Sequence, residues 1–172
     1  MTRSDLPSEP NFALHIDQVR ARADAERLFE RVAAELRKVL PATADIRHVG
    51  ATAVSGCLTK GDLDIVVRVA PEHFAVAERV LAEGFARNTG SKRTDTFAAF
   101  EDPQTEPHLG IQLTVAGGED DYFHLFVEAL QRDPALVARY NALKLQHAGA
   151  PMDAYRAAKS AFIEEILVRL SS

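Results

Sequence analysis

The sequence predicts an α+β fold in which a small mixed sheet, mainly antiparallel, packs against helices. Two observations support this fold class. Apolar residues recur at helical spacing in a long N-terminal segment and in the C-terminal third, whereas the middle of the chain carries short β-branched segments bounded by glycine and proline. The chain has 172 residues, enough for a hydrophobic core, so we expect one domain over residues 1–172.

The N-terminal part is predicted to be a flexible arm followed by one long helix. Residues 1–13 are small, polar and proline-containing, which is typical of an arm. From Ile16 to Leu40 the apolar residues follow a helical period, and arginines and glutamates occupy the opposite face. Pro41 ends this amphipathic helix, because proline cannot continue the backbone hydrogen bonds.

The sheet core is expected between about residues 42 and 116. The segment 63–69 is β-branched and almost continuously apolar, so it is predicted to be a mostly buried strand. A helix begins at Pro71 and closes at Gly84. The other strands are predicted over residues 45–49, 94–101 and 108–115.

The C-terminal part, about residues 120–170, is predicted to be helical throughout. Asp133 is placed to cap the second of its helices, with Pro134 in the first turn. The predicted helices cover residues 121–132, 134–147 and 152–170.

Two aspartates stand at the start of the buried strand. Residues two apart in a strand point to the same side, so Asp62 and Asp64 share a face. Neighbouring carboxylates repel each other, and a divalent cation removes that penalty. Mg²⁺ takes one or two carboxylates together with phosphate oxygens and water. The pair therefore predicts a site for one or two Mg²⁺, unless Asp62 only closes a turn and Asp64 only faces solvent.

The residues before this pair favour phosphate binding. Gly50 ends a strand, and the small residues Ala51 and Thr52 can open a short helix whose free N–H groups suit an anion. Thr52 is expected either to cap that helix or to contact phosphate through its hydroxyl. Lys60 is close in sequence to both features and could neutralise a phosphate oxygen.

These residues carry a resemblance to a known family. Gly50-Ala51, ten intervening residues and Asp62-Leu63-Asp64 resemble the signature of the DNA polymerase β-like nucleotidyltransferase superfamily. More closely, the segment HVGATAVSGCLTKGDLDI resembles the GrpB family, as do the C-terminal segments YNALK and AYRAAKSAFIEEIL. The resemblance implies a nucleotidyltransferase sheet flanked by helices, with Asp62 and Asp64 as metal-holding catalytic residues and a nucleoside triphosphate as substrate.

The sequence departs from those patterns in two places. Ala51 stands where both patterns have serine, so a phosphate-binding hydroxyl is missing unless Thr52 supplies it. The superfamily also tends to supply a third carboxylate from a later strand, but the predicted strand 108–115 carries no acid. Gln112 is expected to coordinate weakly through its amide oxygen, or His108 to act instead.

The C-terminal helices repeat a pairing of tyrosine and lysine. Tyr140 and Lys144 are four residues apart, as are Tyr155 and Lys159, and each pair lies on or beside an apolar stripe. A buried ammonium is costly unless it reaches water or an anion. Either the lysines keep their charge at the rim, or Lys144, Tyr155 and Lys159 converge on the cleft and bind substrate.

Three other residues have structural interpretations. His48, on the strand before Gly50, is expected to be a satisfied structural histidine, and Cys57 a small buried thiol. Arg68 lies on the strand face of the aspartates and is expected to pair with a carboxylate from a helix.

Composition narrows the class of protein. A net charge of −5 without a basic block argues against broad binding to duplex nucleic acid. No apolar stretch approaches the eighteen or so residues of a membrane span. The single cysteine excludes an intrachain disulfide, and together with an N-terminus that lacks an apolar signal core it leads us to expect a cytoplasmic setting.

The leading hypothesis is a Mg²⁺-dependent nucleotidyltransferase-like protein. It would transfer a nucleoside monophosphate from a triphosphate to an unknown small-molecule or macromolecular acceptor. The alternative is a catalytically weak or inactive protein that binds a nucleotide or phosphometabolite, since a third acid and the serine hydroxyl are missing. A third hypothesis is a protein-interaction domain in which the acidic pair is incidental.

Overall fold

A computed structural model describes residues 9–172, and the elements follow one another in the predicted order. Within the described residues, five strands form the sheet: β1 Asp45–Val49, β2 Leu63–Val69, β3 Ala86–Arg87, β4 Phe97–Asp102 and β5 Leu109–Val115. The same part of the chain contains five α-helices: α1 Gln18–Val39, α2 Phe74–Gly84, α3 Phe123–Arg132, α4 Pro134–His147 and α5 Met152–Leu170. Two short 3-10 turns cover Ala51–Ala53 and Pro71–His73.

The five strands form one mixed sheet in the order β1-β2-β5-β4-β3. Only the central pair, β2 and β5, is parallel, and the other three pairs are antiparallel. The predicted α+β class with a mainly antiparallel sheet is therefore confirmed. β3 was not predicted, because it has only two residues, both exposed, and carries no hydrophobic alternation.

The alternation along β2 separates two hydrophobic cores. Leu63, Ile65 and Val67 point to one face and pack with α1 and α2. Val66 points to the other face and packs with α3, α4 and α5 through Phe126 and other aromatic side chains. Both faces of the sheet are therefore covered, which explains why the sequence of β2 is almost continuously apolar. Asp64 and Arg68 lie on the second face, beside the C-terminal helices.

The N-terminal residues differ from the predicted flexible arm. Residues 1–8 of that arm lie outside the described residues, but Phe12 is buried at 1% exposure. Its ring stacks on Tyr155 of α5 at 3.7 Å between centroids, and its backbone exchanges hydrogen bonds with Gly149 and Ala150. A single aromatic residue in a polar segment carries no periodicity, so its packing partner was not evident from sequence.

The predicted cap at Asp133 is present at the start of α4, where its side chain accepts hydrogen bonds from the N–H groups of Ala135 and Leu136. Asp17, which was not predicted, caps the start of α1 by accepting a hydrogen bond from the N–H of Arg20. Among residues 9–172, no helix combines the length and the apolar character needed to cross a bilayer.

One ion-pair network ties the sheet to the start of α3. Arg68 donates to both carboxylate oxygens of Asp121, at 2.6 and 2.7 Å, and to Asp45 at 2.8 Å. The pairing expected for Arg68 is thus present, although Asp121 lies just before the helix. Burial raises the pKa of Asp121, but hydrogen bonds from Arg68 and from the Gly117 N–H outweigh it and leave the pKa below its usual value.

We expect Asp121→Asn to lower the free energy of unfolding by about 2 kcal/mol at pH 7, because it leaves a largely buried guanidinium without its main partner. Since the pKa of Asp121 is lowered on folding, its contribution is present above the usual carboxyl pKa and is lost as pH falls through the folded value. Urea unfolding at pH 7 and pH 3.5 measures both effects. Asp153→Asn, at an exposed pair with Arg156, is the control and should change stability by less than about 0.5 kcal/mol.

Candidate functional site

Asp64 is placed between two glycines of the neighbouring strands. In the sheet it lies opposite Val49 of β1 and Gly110 of β5. A Cβ atom at Gly50 would lie 2.8 Å from one carboxylate oxygen of Asp64, and a Cβ atom at Gly110 would lie 2.9 Å from the other. Neither glycine can therefore carry a side chain without displacing Asp64. Gly50 also has φ +78°, a conformation that favours glycine.

Within residues 9–172, the carboxylate of Asp64 has no hydrogen-bond or ion-pair partner. Burial raises its pKa, and the only opposing effects are the more distant charges of Lys159, His108 and Lys60, with no hydrogen bond contributing. The other well-buried acids are each neutralised: Glu78 by Arg93, Asp120 by Lys92 and Asp121 by Arg68. Asp64 is thus a half-buried acid that the described residues leave without a direct counter-charge.

Asp62 completes the acidic pair that the sequence predicted. It is half-buried, and its carboxylate lies 3.4 Å from the ammonium of Lys60. Its charge acts on Asp64 and helps to raise the pKa of that group. Asp62 and Asp64 line the same cavity, so the structure brings the two predicted carboxylates together at one opening.

This donor set fits a magnesium ion that is shared with phosphate. Among residues 9–172, no group of three histidine, cysteine or acidic side chains is placed to hold a metal by itself. Two carboxylates are nevertheless what Mg²⁺ uses when phosphate oxygens and water complete its octahedron. The unpartnered carboxylate of Asp64 is the observation that supports this fit.

The turn after β1 is built as predicted, but Thr52 has a different role. The 3-10 turn uses the N–H groups of Ala53 and Val54, which leaves those of Ala51 and Thr52 outside its own hydrogen bonds. The hydroxyl of Thr52 neither caps this turn nor faces the cleft. Thr52 is buried, and its hydroxyl donates to the carbonyl of Asp62 at 3.0 Å.

His48 supports the same contact. Its Nε2 lies 2.8 Å from the Thr52 hydroxyl, and its Nδ1 lies 2.9 Å from Glu26 of α1. His48 is therefore a satisfied structural residue, as expected, and it links α1 to the turn. Thr52 does not replace the missing serine hydroxyl, because its own hydroxyl is used to hold the backbone at Asp62.

Lys144 is buried rather than at the rim. Its ammonium donates to the carbonyl of Leu58, lies 3.5 Å from the sulfur of Cys57 and lies 4.0 Å from the centre of the Tyr140 ring. Burial lowers its pKa to about 8. The expectation that this lysine keeps its charge in water is wrong: it is 2% exposed and fastens the segment before Lys60 to α4. Cys57 is buried, as expected.

Tyr155 and Lys159 of α5 line the cleft. Tyr155 stacks on Phe12, and burial raises its pKa to about 12, so its hydroxyl stays protonated at neutral pH. Lys159 is half-buried, and its charge has the largest opposing effect on the raised pKa of Asp64. Two lysines were predicted to converge on the cleft. Lys159 lines it beside the acidic pair, whereas the ammonium of Lys144 is bound to the carbonyl of Leu58.

The cleft has two lobes that meet at Asp64 and Lys159. We call the first the basic lobe; it has a volume of about 320 Å³ and is lined by Ala51, Thr59, Lys60, Asp62, Asp64, Tyr140, Lys144, Tyr155, Arg156, Lys159 and others. We call the second the aromatic lobe; it has a volume of about 350 Å³ and is lined by Val49, Gly50, Asp64, Gln112, Tyr122, Phe123, Phe126, Tyr140, Arg156, Lys159, Ser160 and Ile163. The carboxylates that suit a metal and the lysines that suit a phosphate therefore line the same opening.

A third acid shares the sheet face of Asp64, on a strand where sequence reasoning did not look for it. Glu101 of β4 is the register partner of Gly110, which is itself the partner of Asp64. The three positions therefore share one sheet face, and Gly110 leaves the space between the acids free of a side chain. Glu101 pairs with His108 at 3.5 Å. No periodicity in the sequence marks Glu101, since only the register places it there.

Gln112 lies beside the acidic pair on the same face. It is the register partner of Val66 and lines the aromatic lobe. Its amide oxygen is buried and accepts no hydrogen bond within the described residues. Its predicted weak coordination of a metal stays a prediction.

Comparison with solved structures defines the class of protein. The chain is similar to the Cid1 poly(U) polymerase in its MgGTP-bound crystal structure, with a TM-score of 0.50 and 13% identity over 76% of this chain and 42% of that one. It is also similar to a conserved GrpB protein of Enterococcus faecalis, with a TM-score of 0.64 and 20% identity over 86% of this chain and 95% of that one. The sheet and its helices therefore have a nucleotidyltransferase-like fold.

The chain belongs to the GrpB family. A match to the GrpB protein family covers residues 15–169. A UPF0157 protein of Vibrio cholerae is 34% identical over 146 residues, which are 84% of this chain and 77% of that protein. The resemblance seen in the sequence is confirmed over both the sheet and the C-terminal helices.

We expect Asp64→Asn to raise the free energy of unfolding by about 1 kcal/mol at pH 7 without ligand. The pKa of Asp64 is raised on folding, so ionisation costs the folded state stability as pH rises through the folded value. The gain should vanish below about pH 4, where the carboxyl is protonated in both states. Denaturant unfolding across this range is the measurement. Asp62→Asn is the matched control and should change stability little; a loss of stability in Asp64→Asn at pH 7 would assign Asp64 a structural role.

Proposed function

We propose that this GrpB protein is a Mg²⁺-dependent nucleotidyltransferase, which transfers a nucleoside monophosphate from a nucleoside triphosphate to an acceptor. The observation that carries the proposal is the carboxylate of Asp64. It is half-buried, accepts no hydrogen bond from the part of the chain that the structure describes, and is open to a cleft whose other wall carries cations. Such a group is unfavourable in an empty protein and favourable beside a cation, so it points to a site for a metal nucleotide.

Asp62 and Asp64 would hold the metal. When bound, Mg²⁺ would neutralise the charge that develops on the phosphate oxygens. The two glycines fix the carboxylate of Asp64 between β1 and β5, and Lys60 holds that of Asp62 from the solvent side. The rigid sheet thus presents both carboxylates to one ligand without a rearrangement of the backbone.

The phosphates would occupy the basic lobe. Lys60 and Lys159 line it, and the free N–H groups of Ala51 and Thr52 belong to the turn at its wall. Lys60 would exchange its pairing with Asp62 for a phosphate oxygen once a cation occupies the acidic pair. Lys144 and Tyr155 would shape this lobe and hold its loop, rather than change partner on binding.

The reaction needs only positioning and charge neutralisation from the protein. The oxygen of an acceptor hydroxyl would form a bond to the α-phosphorus, while the bond from that phosphorus to the bridging oxygen breaks. Pyrophosphate would leave with the electron pair of that bond, and the hydroxyl proton would pass to water. Lys159, which lines both lobes beside Asp64, would stabilise the negative charge on the transferred group.

A second candidate function is nucleotide binding without turnover. One observation favours it: within residues 9–172 no third acid joins Asp62 and Asp64, because Glu101 is two strands away from Asp64 and is paired with His108. An acceptor hydroxyl would then lack a nearby base, and the protein would hold a metal nucleotide or another phosphorylated metabolite in the same lobe.

We expect Mg²⁺ with a non-hydrolysable ATP analogue to raise the melting temperature of the protein, because the ligand binds only the folded state. Asp64→Asn should abolish this shift while its own fold is retained. Asp95→Asn removes an exposed acid outside the cleft and should keep the shift, which makes it the matched control. No shift with any of the four nucleoside triphosphates, in either Mg²⁺ or Mn²⁺, would contradict the proposal.

Pyrophosphate release separates the two candidate functions. A nucleotidyltransferase should release pyrophosphate from a triphosphate when candidate hydroxyl acceptors are added, and Asp64→Asn should lower that rate at least about 100-fold. A shift in melting temperature without any release would favour the binding protein.

A further inference from the structure

The aromatic lobe differs in character from the basic lobe, although the two meet at the same residues. Tyr122 and Phe123, at the start of α3, stack with ring centroids 4.4 Å apart. Both are only partly buried, so apolar ring surface remains open to the cleft. Phe126 and Ile163 close the wall from α3 and α5. An apolar lobe with flat aromatic walls suits a ring that packs by stacking.

One polar side chain in the wall of this lobe has an oxygen without a partner. The amide oxygen of Gln112 is buried and accepts no hydrogen bond within the described residues. A buried polar atom without a partner is costly, and a ligand that supplies a donor removes that cost. The proposed Mg²⁺-nucleotide site leaves this amide unused. A ring that carries a hydroxyl or amine would satisfy it once the amide of Gln112 rotates to face the lobe.

The direction of phosphoryl transfer decides which ligand enters this lobe. The attacking oxygen and the leaving oxygen lie roughly in line on opposite sides of the phosphorus. The leaving pyrophosphate would remain among the cations of the basic lobe. The attacking hydroxyl would then approach from the side away from the basic lobe, and the aromatic lobe is the second cavity that Asp64 and Lys159 line.

We propose that the aromatic lobe binds the acceptor, and that the acceptor is a small molecule with a planar ring and a hydroxyl group. Its ring packs against Tyr122 and Phe123, and a donor on the ring binds the amide of Gln112. The volume of about 350 Å³ is at the small end of ligand pockets, which matches a single ring system rather than a polymer. This inference rests on the proposed function, because that function is what places the leaving pyrophosphate in the basic lobe.

Calorimetric titration with two separate probes tests the inference. Mg²⁺-tripolyphosphate reports on the basic lobe. Adenosine, uridine and tyramine report on the aromatic lobe, and glycerol is the control that has hydroxyls without a ring. We expect at least one ring probe to bind while glycerol does not. Its affinity should change less than about threefold when a non-hydrolysable Mg²⁺-ATP analogue saturates the basic lobe.

Variants assign each probe to its lobe. Gln112→Leu should weaken the ring probe about tenfold, the equivalent of one hydrogen bond, and leave Mg²⁺-tripolyphosphate unchanged. Lys60→Ala is the matched control with the reverse pattern. Ser160→Trp is a second variant: Ser160 is exposed on α5 and lines the aromatic lobe, so a large side chain there should block the ring probe without burying new volume in the core.

Three results would overturn the inference. If the ATP analogue displaces the ring probe but tripolyphosphate does not, the aromatic lobe takes the base of the nucleotide. If Gln112→Leu weakens tripolyphosphate as much as the ring probe, Gln112 is part of the metal site. If tripolyphosphate binds and no ring probe does, the aromatic lobe is not the acceptor site, but the proposed function stands. If neither tripolyphosphate nor a ring probe binds, the proposed function is contradicted as well.

Discussion

A carboxylate without an internal partner sets the requirements that the rest of this cleft must meet. Asp64 lies between β1 and β5, where burial raises its pKa and no hydrogen bond from residues 9–172 compensates. An arginine or lysine neutralises each of the buried acids Glu78, Asp120 and Asp121, so the missing counter-charge is particular to Asp64. Only a packed sheet can keep such a group in place, and the two cores on opposite faces of β2 supply that packing.

The glycines beside Asp64 follow from the same constraint. Gly50 and Gly110 come from different strands, yet a Cβ atom at either position would meet a carboxylate oxygen of Asp64. The backbone therefore forms a slot that fits one carboxylate. The hydrogen bond from Thr52 to the carbonyl of Asp62 then joins the turn to the start of β2. The turn and the acidic pair are consequently one rigid unit rather than two neighbouring features.

The cations around the cleft divide into those that are already bound and those that face the acids. Lys144 is buried against a carbonyl and an aromatic ring, so its charge stabilises the loop before Lys60. Arg156 pairs with Glu9 and Asp153, which attaches the N-terminal segment to α5. Lys159 instead lines both lobes and acts on Asp64. This division explains how two lysines at equivalent helical spacing can have different roles.

Much of the fold was predictable from sequence, because the signals involved are local. The helical period of α1, the apolar run of β2 and the cap at Asp133 each arise within a few residues. Phe12 was missed because its partner lies far away along the chain, and β3 was missed because its two exposed residues carry no hydrophobic alternation. In the site, the spacing of Asp62 and Asp64 placed both on one face. The hydroxyl of Thr52 and the ammonium of Lys144 were misjudged, because the carbonyl that each binds is brought near only by folding.

The sequence by itself determined the fold class, the family resemblance and the acidic pair, since alternation along a strand depends on adjacent residues only. The tertiary structure alone decided that no described residue neutralises Asp64 directly, that Glu101 shares its face, and that the cleft has a basic and an aromatic side. The physical reason is register. Strand pairing and helix packing set distances between residues that are remote in the chain, and the energy of a charge depends on those distances.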